Sequence, residues 1–468
     1  MSNFKLLING RLVDGDDRMA VVNPATEQAI CDCPRASEAQ FREAVAAAKA
    51  AFPGWSATPL DERREVLRRM ADAIEANTDE LARLLTAEQG KPLADAIGEV
   101  GRMAAHFRHF AGMEMPVEVL EDSAERRVET HRQPLGVVAV IVPWNFPLSI
   151  MAMKVAPGLV AGNTLVVKPA ATTPLSTLRF AEAVAGLLPP GVLNVVTDAN
   201  DLGAVLTEHP DVRKVSFTGS TATGRKVMAS AADTVKRVTL ELGGNDAAIV
   251  LDDAQPEAVA RDVFQFAFKN SGQVCLAIKR LFVHASLYDE VCAELARLAE
   301  AAVVDDGMKQ GTQYGPLQNR QQYERVRELL ADAERNGKVI AGGDRDGPGY
   351  FIRPAIVRDI AEGARLVDEE QFGPALPVMR YDDIEEVIRR ANATDYGLGA
   401  SVWSSDPDRA REVAMRLEAG SVWVNRHGEL LPHVPFGGAK QSGIGVELGE
   451  LGLAEFTQLK VVNMHHSG

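Results

Sequence analysis

The sequence predicts an α/β protein built on two parallel sheets flanked by helices. From Gly136 onward, short β-branched runs alternate with helical stretches, and a second alternation of the same kind begins near Asp246. The turns that close the first set of strands are rich in Gly, Pro and polar residues. Strand–helix alternation favours a parallel sheet covered on both faces. Ligands of such sheets lie beyond the carboxyl ends of the strands.

The elements follow in order. "MSNFKLLINGRLVDG" reads as a strand, a Gly turn and the start of another strand, without the long apolar stretch of a signal peptide. Residues 36–111 carry apolar positions at three- and four-residue spacing, the mark of amphipathic helices. "PVEVLEDSAERRVETHRQPLG" alternates apolar and polar residues as an exposed strand pair does. Strands are expected at 137–142, 164–168, 193–197, 214–218 and 237–241, with helices over "PLSTLRFAEAVAGLL" and "TATGRKVMASAA" between them. The turn "LELGGND" at 240–246 marks a boundary. The second set comprises "AAIVL", "RLFVH", "LPVMRY", "GASVW" and "SVWVN". The tail "LAEFTQLKVVNMH" is a strand without an obvious partner; with 117–135 it suggests pairing across a subunit interface.

A length of 468 residues allows two or three domains. The net charge of -15 excludes a general nucleic-acid binder, which needs a basic face. No apolar run reaches the roughly 18–20 residues of a membrane span. Cysteine is sparse, at four residues, which fits a reducing, cytoplasmic setting rather than a disulfide scaffold. Cys31 and Cys33, one residue apart, match neither a redox nor a zinc motif, and Cys292 has helical core spacing. The nine histidines are scattered, so no metal site is expected. Cys275, in "NSGQVCLA", has no such structural explanation.

Four turns carry chemistry. "PWNFP" (143–147) ends a strand between two prolines and presents Asn145, whose amide would either donate to an oxyanion or satisfy its own loop. "TLVVKPA" ends on Lys168, a cation for a nucleotide ribose or phosphate. "SFTGSTATG" opens a helix with a Gly-rich turn suited to a pyrophosphate, although it is not a GxGxxG motif. "LELGG" places Glu241 at the end of an apolar strand. A carboxylate there is costly unless its pKa rises or it is used. Glu241 is a candidate general base and Cys275 a candidate nucleophile.

"PWNFP", "VVKPA", "FTGST", "LELGG", "GQVC", "EEQFGP" and "PFGGAKQSGIG" occur in an order and spacing that resemble the aldehyde dehydrogenase superfamily, from about Asn9 to Val462. The resemblance implies that fold, with a cofactor-binding domain over 1–116 and 136–243 and a catalytic domain over 244–441. It also implies an oligomerisation arm of strands at 117–135 and 455–468. It implies NAD(P)-dependent oxidation of an aldehyde to the acid. Cys275 attacks the carbonyl to give a thiohemiacetal and then a thioester, Asn145 and the Cys275 amide hold the oxyanion, and Glu241 activates water. Lys154 and Glu447 match a proton relay. Trp144, Lys168, Gly219, Ser220, Leu242, Glu370 and Phe372 match cofactor contacts, and Asn425 a support of the active-site loop. Gln371 replaces a usual aliphatic residue and is expected to leave its neighbours undisturbed.

Ala171 stands where members that prefer NAD carry a glutamate, so with Lys168 free to attract a 2′-phosphate, use of both NAD and NADP is expected. The glutamate at 241, absent from branches that acylate coenzyme A, implies water as acceptor. Phe146, Ile150, Met153, Val274, Leu276 and Leu430 match the substrate tunnel. Being apolar, they suit an aliphatic or aromatic aldehyde. The alternative is a succinate-semialdehyde-like substrate, if Arg102 and Arg426, with His427 and His433, reach the tunnel mouth. A non-catalytic structural member of the fold would be free to lose Cys275, Glu241 or Asn145, and all three are present. The family's arm implies a homodimer or a homotetramer.

Overall fold

A computed structural model describes residues 4–345 and 347–466. Residues 1–3 of the expected cofactor-binding segment, Asp346, and residues 467–468 of the expected arm lie outside them.

The first sheet has eight strands in the order Arg11–Val13, Leu6–Ile8, Leu193–Val195, Thr164–Lys168, Val137–Ile141, Val212–Thr218, Arg237–Glu241, Gly443–Ile444. Its five central strands run parallel and every residue of Val137–Ile141 and Thr164–Lys168 is buried, as helices on both faces require. Strand order reverses at Val137–Ile141, which has Thr164–Lys168 on one side and Val212–Thr218 on the other. This is the topological switch point, where the turns that follow adjacent strands diverge and leave a crevice. "PWNFP" and "FTGST" both end there.

The second sheet has seven strands, in the order Lys338–Asp344, Ile352–Arg358, Ala375–Tyr381, Ile278–His284, Asp246–Val250, Gly399–Trp403, Ser421–Val424. All five expected strands are in it. The edge hairpin formed by its first two strands is not signalled by alternation, because "AGGDRDGPG" interrupts the pattern with turn residues. A further hairpin, Asp17–Val22 with Ala29–Arg35, was also not expected and carries Cys31 and Cys33 on one face; Cys33 is fully buried. Cys292 is buried on the helix Tyr288–Ala301, and all four cysteines are free thiols.

The helices Glu38–Ala57, Leu60–Ala76, Thr78–Gln89 and Leu93–Ala111 fill the expected helical segment. The first begins with a reciprocal capping box between Ser37 and Gln40. Among the described residues no helix is long and apolar enough to cross a membrane.

The terminal strand corrects one expectation. Thr457–His465 pairs antiparallel with Arg126–Pro134 of its own chain, from Thr457 opposite Pro134 to His465 opposite Arg126. With Glu118–Asp122 these strands form a separate three-stranded sheet, so the tail needs no second subunit for a partner. Asn163 ties this arm to the body. Its fully buried amide accepts from Leu135 and Gly136 N–H and donates to Gly158 and Phe456 carbonyls.

Candidate active site

The segment that carries Cys275 reverses sharply. After the helix Pro256–Phe268, Asn270, Ser271 and Gly272 all adopt left-handed φ angles of 51°, 55° and 72°. For the two non-glycine residues this costs roughly 1–2 kcal/mol each, offset by specific bonds. Asn270 Nδ2 donates to the Asn145 carbonyl and Ser271 Oγ to that of Gly315. Gly272 is obligatory in shape as well as in φ, because a Cβ there would lie 2.2 Å from Gly373 O. Gln273 then locks the loop, donating to Asn270 O and accepting from Gln318 N–H.

Cys275 emerges half-buried on the wall of a cavity of about 300 Å³. Asn145 and Glu241, from two turns of the first sheet, line the same cavity, together with Glu447. Asn145 Nδ2 gives one hydrogen to Gln273 O at 3.1 Å, which leaves its second N–H for a ligand. Among the described residues the Cys275 N–H has no acceptor, so two donors stand beside the sulfur. Phe146, Ile150, Met153, Val274, Leu276 and Leu430 all line the cavity, as do Arg102 and Arg426. His427 does not: it is fully buried, bonded to Leu276 O at 2.8 Å and 3.6 Å from Asp246. His433 is likewise absent from the wall. These two corrections leave the arginines as the polar members of the expected mouth. Asn425 grips Ser404 through both amide groups, anchoring the loop that carries Arg426 and Leu430.

The electrostatics of the cavity are those of desolvation. Burial pushes the Cys275 thiol up to about 12, opposed by the Lys279 ammonium and reinforced by Glu241. Glu241 is 4% exposed and neither carboxyl oxygen has a partner; burial raises its pKa well above the ordinary range, and Glu447 adds to the rise while Lys154 opposes it. Lys154, on the helix Pro147–Val160, and Glu447 form a buried ion pair beside it. The sulfur is a thiol at neutral pH, and burial makes Glu241 hold its proton more tightly than an ordinary carboxyl does.

A larger cleft of about 1230 Å³ opens at the switch point, and Thr218 lines both it and the cavity. Trp144, Lys168, Gly219 and Ser220 line the cleft. Ser220 joins it to a neighbouring groove, and it is that groove, not the cleft, that Thr221 and Ala222 line. At the start of the helix Thr221–Ala232 the Thr221 and Ala222 amides have no acceptor among the described residues, while Ser220 Oγ already caps Thr223. Such orphan donors at a helix N-terminus suit an anion. Three expected contacts differ from expectation. The Gly219 N–H is taken by Glu241 O at 3.0 Å. Leu242 packs against Gly224, where a Cβ would lie 2.4 Å from it, and does not line the cleft. The Lys168 ammonium is 2.7 Å from the buried Asp198, so its charge is already matched.

Glu370 lines a groove on the other side of Ser220, and Ser220 lies on both. It accepts from Gly244 N–H and pairs with Lys279 at 3.3 Å. The Gly243–Gly244 pair permits this approach, since a Cβ on Gly243 would sit 2.3 Å from Glu370 Oε2. Phe372, at φ 47°, meets Trp144 edge-on at 5.4 Å. Between them Gln371 is buried, and its Nε2 donates to Lys279 O and Ala375 O. Gln371, expected to leave its neighbours undisturbed, ties the Glu370–Phe372 loop to two strands of the second sheet.

Sequence reasoning missed Lys91 and Glu99. Both are buried and ion-paired; Lys91 Nζ also donates to Asn145 O at 2.9 Å and lies 3.9 Å from the Phe146 ring centre. Glu99 Oε1 accepts from Leu148 and Ser149 N–H, the first turn of the helix that carries Met153 and Lys154. The pair clamps the "PWNFP" turn from behind. Charged residues in an amphipathic helical segment read as solvated, which is why they gave no signal.

A doubly wound sheet with a large cleft at its switch point, meeting at Thr218 a cavity that holds one cysteine, is an arrangement suited to a nucleotide-dependent oxidoreductase. The chain belongs to the aldehyde dehydrogenase family, whose model matches residues 12–462. It is 42% identical to a mitochondrial aldehyde dehydrogenase of Leishmania tarentolae over 98% of this chain and 94% of that one. It is 40% identical to phenylacetaldehyde dehydrogenase of Pseudomonas fluorescens, over 97% and 94%. Among solved structures, the NAD+ complex of a Bacillus cereus aldehyde dehydrogenase superposes with a TM-score of 0.97 at 37% identity, covering 100% of this chain and 97% of that one.

Two predictions follow from these charges. Lys91→Met and Glu99→Gln each leave an unpaired buried charge or its unmet partner, and each lowers stability by about 3–5 kcal/mol. The double variant loses less than the sum, a coupling read from denaturant unfolding of all four proteins. Glu241 holds a proton more tightly in the folded than in the unfolded chain, so its contribution to stability falls as pH rises above the ordinary carboxylate range. Glu241→Gln removes that dependence. The melting-temperature advantage of the variant over the parent is therefore expected to widen from pH 5 to pH 9.

Proposed function

We propose that the enzyme oxidises an aldehyde to its carboxylic acid, with NAD or NADP as acceptor and water as the second substrate. The convergence of Cys275, Asn145 and Glu241 on a cavity that shares Thr218 with the cleft carries this reading. The sulfur of Cys275 bonds to the carbonyl carbon as the thiol proton passes to ionised Glu241, which hands it to the Lys154–Glu447 pair. Asn145 Nδ2 and the Cys275 N–H receive the negative oxygen. When bound, the nicotinamide accepts the hydride from that carbon. Glu241, ionised again, takes a proton from water, whose oxygen attacks the thioester carbon, and gives that proton to the departing sulfur, releasing the acid and the thiol. The Lys154–Glu447 pair beside Glu241 passes its proton onward. The free Thr221 and Ala222 amides, in the groove that Ser220 joins to the cleft, would hold phosphate, and Trp144 with Phe372 edge-on to it would border the ring.

We assign the first sheet, with residues 1–116 and 136–243, to cofactor binding, and 244–441 to catalysis. The arm exposes Val119, Leu120, Leu459 and Val461, an apolar face that a second copy of the chain would cover, in a homodimer or a tetramer of two dimers. Four free thiols favour a cytoplasmic setting. Use of both NAD and NADP rests on Ala171, which brings no carboxylate against a 2′-phosphate, rather than on Lys168, whose charge Asp198 matches.

Cys275→Ala is expected to abolish the burst of reduced cofactor. Asn145→Ala lowers kcat by on the order of 10²–10³. Unchanged turnover in either variant contradicts the assignment. Steady-state kinetics are expected to give NADP a kcat/KM within about 100-fold of that for NAD, about 2.7 kcal/mol in transition-state binding.

A further inference from the structure

Three cations line the cavity that holds Cys275: Arg102 from the helix Leu93–Ala111, Lys269 just after the helix Pro256–Phe268, and Arg426 on the loop after Ser421–Val424. Among the described residues none of them forms an ion pair or a side-chain hydrogen bond, although Arg426 stacks over the Phe266 ring at 5.0 Å. All three residues are exposed, so they stand at the mouth of the cavity, solvated in the free protein and open to a ligand. Partial burial and the Arg102 and Arg426 guanidiniums lower the Lys269 pKa, while Asp95 and Glu99 oppose them. The cavity wall holds three acidic groups: Glu241, whose negative charge burial disfavours, Glu447, which pairs with Lys154, and Glu429. The cations therefore outnumber the free anions in a protein whose net charge is -15. A second feature points the same way. His106 lines the cavity, is 7% exposed, and its Nδ1 is buried without a partner; burial first, then His109 and Arg102, push its pKa down to about 4. A neutral imidazole with an unmet nitrogen is costly unless a polar ligand reaches it.

We propose that this cavity is built for an aldehyde that carries a carboxylate at its far end, held by Arg102, Lys269 and Arg426. The inference rests on the aldehyde oxidation proposed above and names its substrate class. The carbonyl lies at Cys275 and Asn145, and the linking chain runs along Phe146, Ile150, Met153 and Phe436. The carboxylate supplies the charge that the cations lack. Local cations also reverse the repulsion that an acidic protein exerts on an acidic substrate, and they focus the field into the cavity. Lys269 is exposed, as its place after an amphipathic helix suggests, and only the fold brings it to the cavity.

Length-matched pairs test this: butanal against succinate semialdehyde, and hexanal against 6-oxohexanoate, at low and high salt. The parent and Lys269→Met, Arg426→Gln and the double variant are compared by kcat/KM per active site, normalised to burst amplitude. The parent is expected to prefer the carboxylate by about tenfold or more at one length at least. That preference falls at least tenfold in the double variant and shrinks as salt is raised. The ratio cancels any loss of folded enzyme. A parent that prefers the neutral aldehyde at both lengths overturns the proposal, as does a preference unchanged in the double variant. Should no aldehyde reduce the cofactor, the oxidation itself fails. Turnover of hexanal without a carboxylate preference removes only the substrate class.

Discussion

Desolvation around one sulfur is the constraint on which this molecule depends. Cys275 and Glu241 face a common cavity, and burial raises the pKa of both, so charge on either is costly there. A solvated thiol would react with any electrophile. A buried carboxyl with a raised pKa is a stronger base once ionised than a solvated one. The neighbours that oppose the two shifts are single ammonium groups, Lys279 for the sulfur and Lys154 for the carboxyl. Each also serves a second partner: Lys279 pairs with Glu370, and Lys154 with Glu447. The charges of the site are thus shared among elements distant in sequence.

That sharing demands rigidity, and the frame supplies it where the two sheets meet. Asn145 belongs to the first sheet, yet both its amide and its carbonyl bond to the loop of Cys275. Lys91 and Glu99, a fully buried pair, fix the same turn from the helical layer. Three left-handed residues in succession before Cys275 are tolerated only because each is bonded or, at Gly272, because nothing larger fits. Strain at a site that the surroundings over-determine is a common feature of preorganised chemistry.

Much of this was legible in the sequence, for physical reasons. Buried parallel strands are continuous apolar runs, so all ten expected strands of the two sheets were found. The residues at the ends of those strands stood out because Pro, Gly and polar types interrupt the runs. Hairpins at the edges were missed, since half-exposed strands broken by glycines lose the alternating signal. The clamp of Lys91 and Glu99 was missed for a related reason: a charge on an amphipathic helix looks solvated until the neighbouring layer is known. Lys168 and Gly219 were identified as polar groups at the right turn, but their partners, Asp198 and the Glu241 carbonyl, come from other strands. Gln371 shows the same limit in reverse. Its identity looked incidental, and only the fold reveals two carbonyls waiting for its amide.

The central claim is that Cys275 carries the acyl group and Glu241 removes it. The most direct measurement is the mass of the Cys275 peptide after Glu241→Gln enzyme is mixed with hexanal and NAD+ and quenched. The account predicts one hexanoyl group on Cys275 per equivalent of reduced cofactor, persisting far longer than in the parent. Reduced cofactor without an adduct on Cys275, or an adduct on Cys31, Cys33 or Cys292 instead, contradicts it.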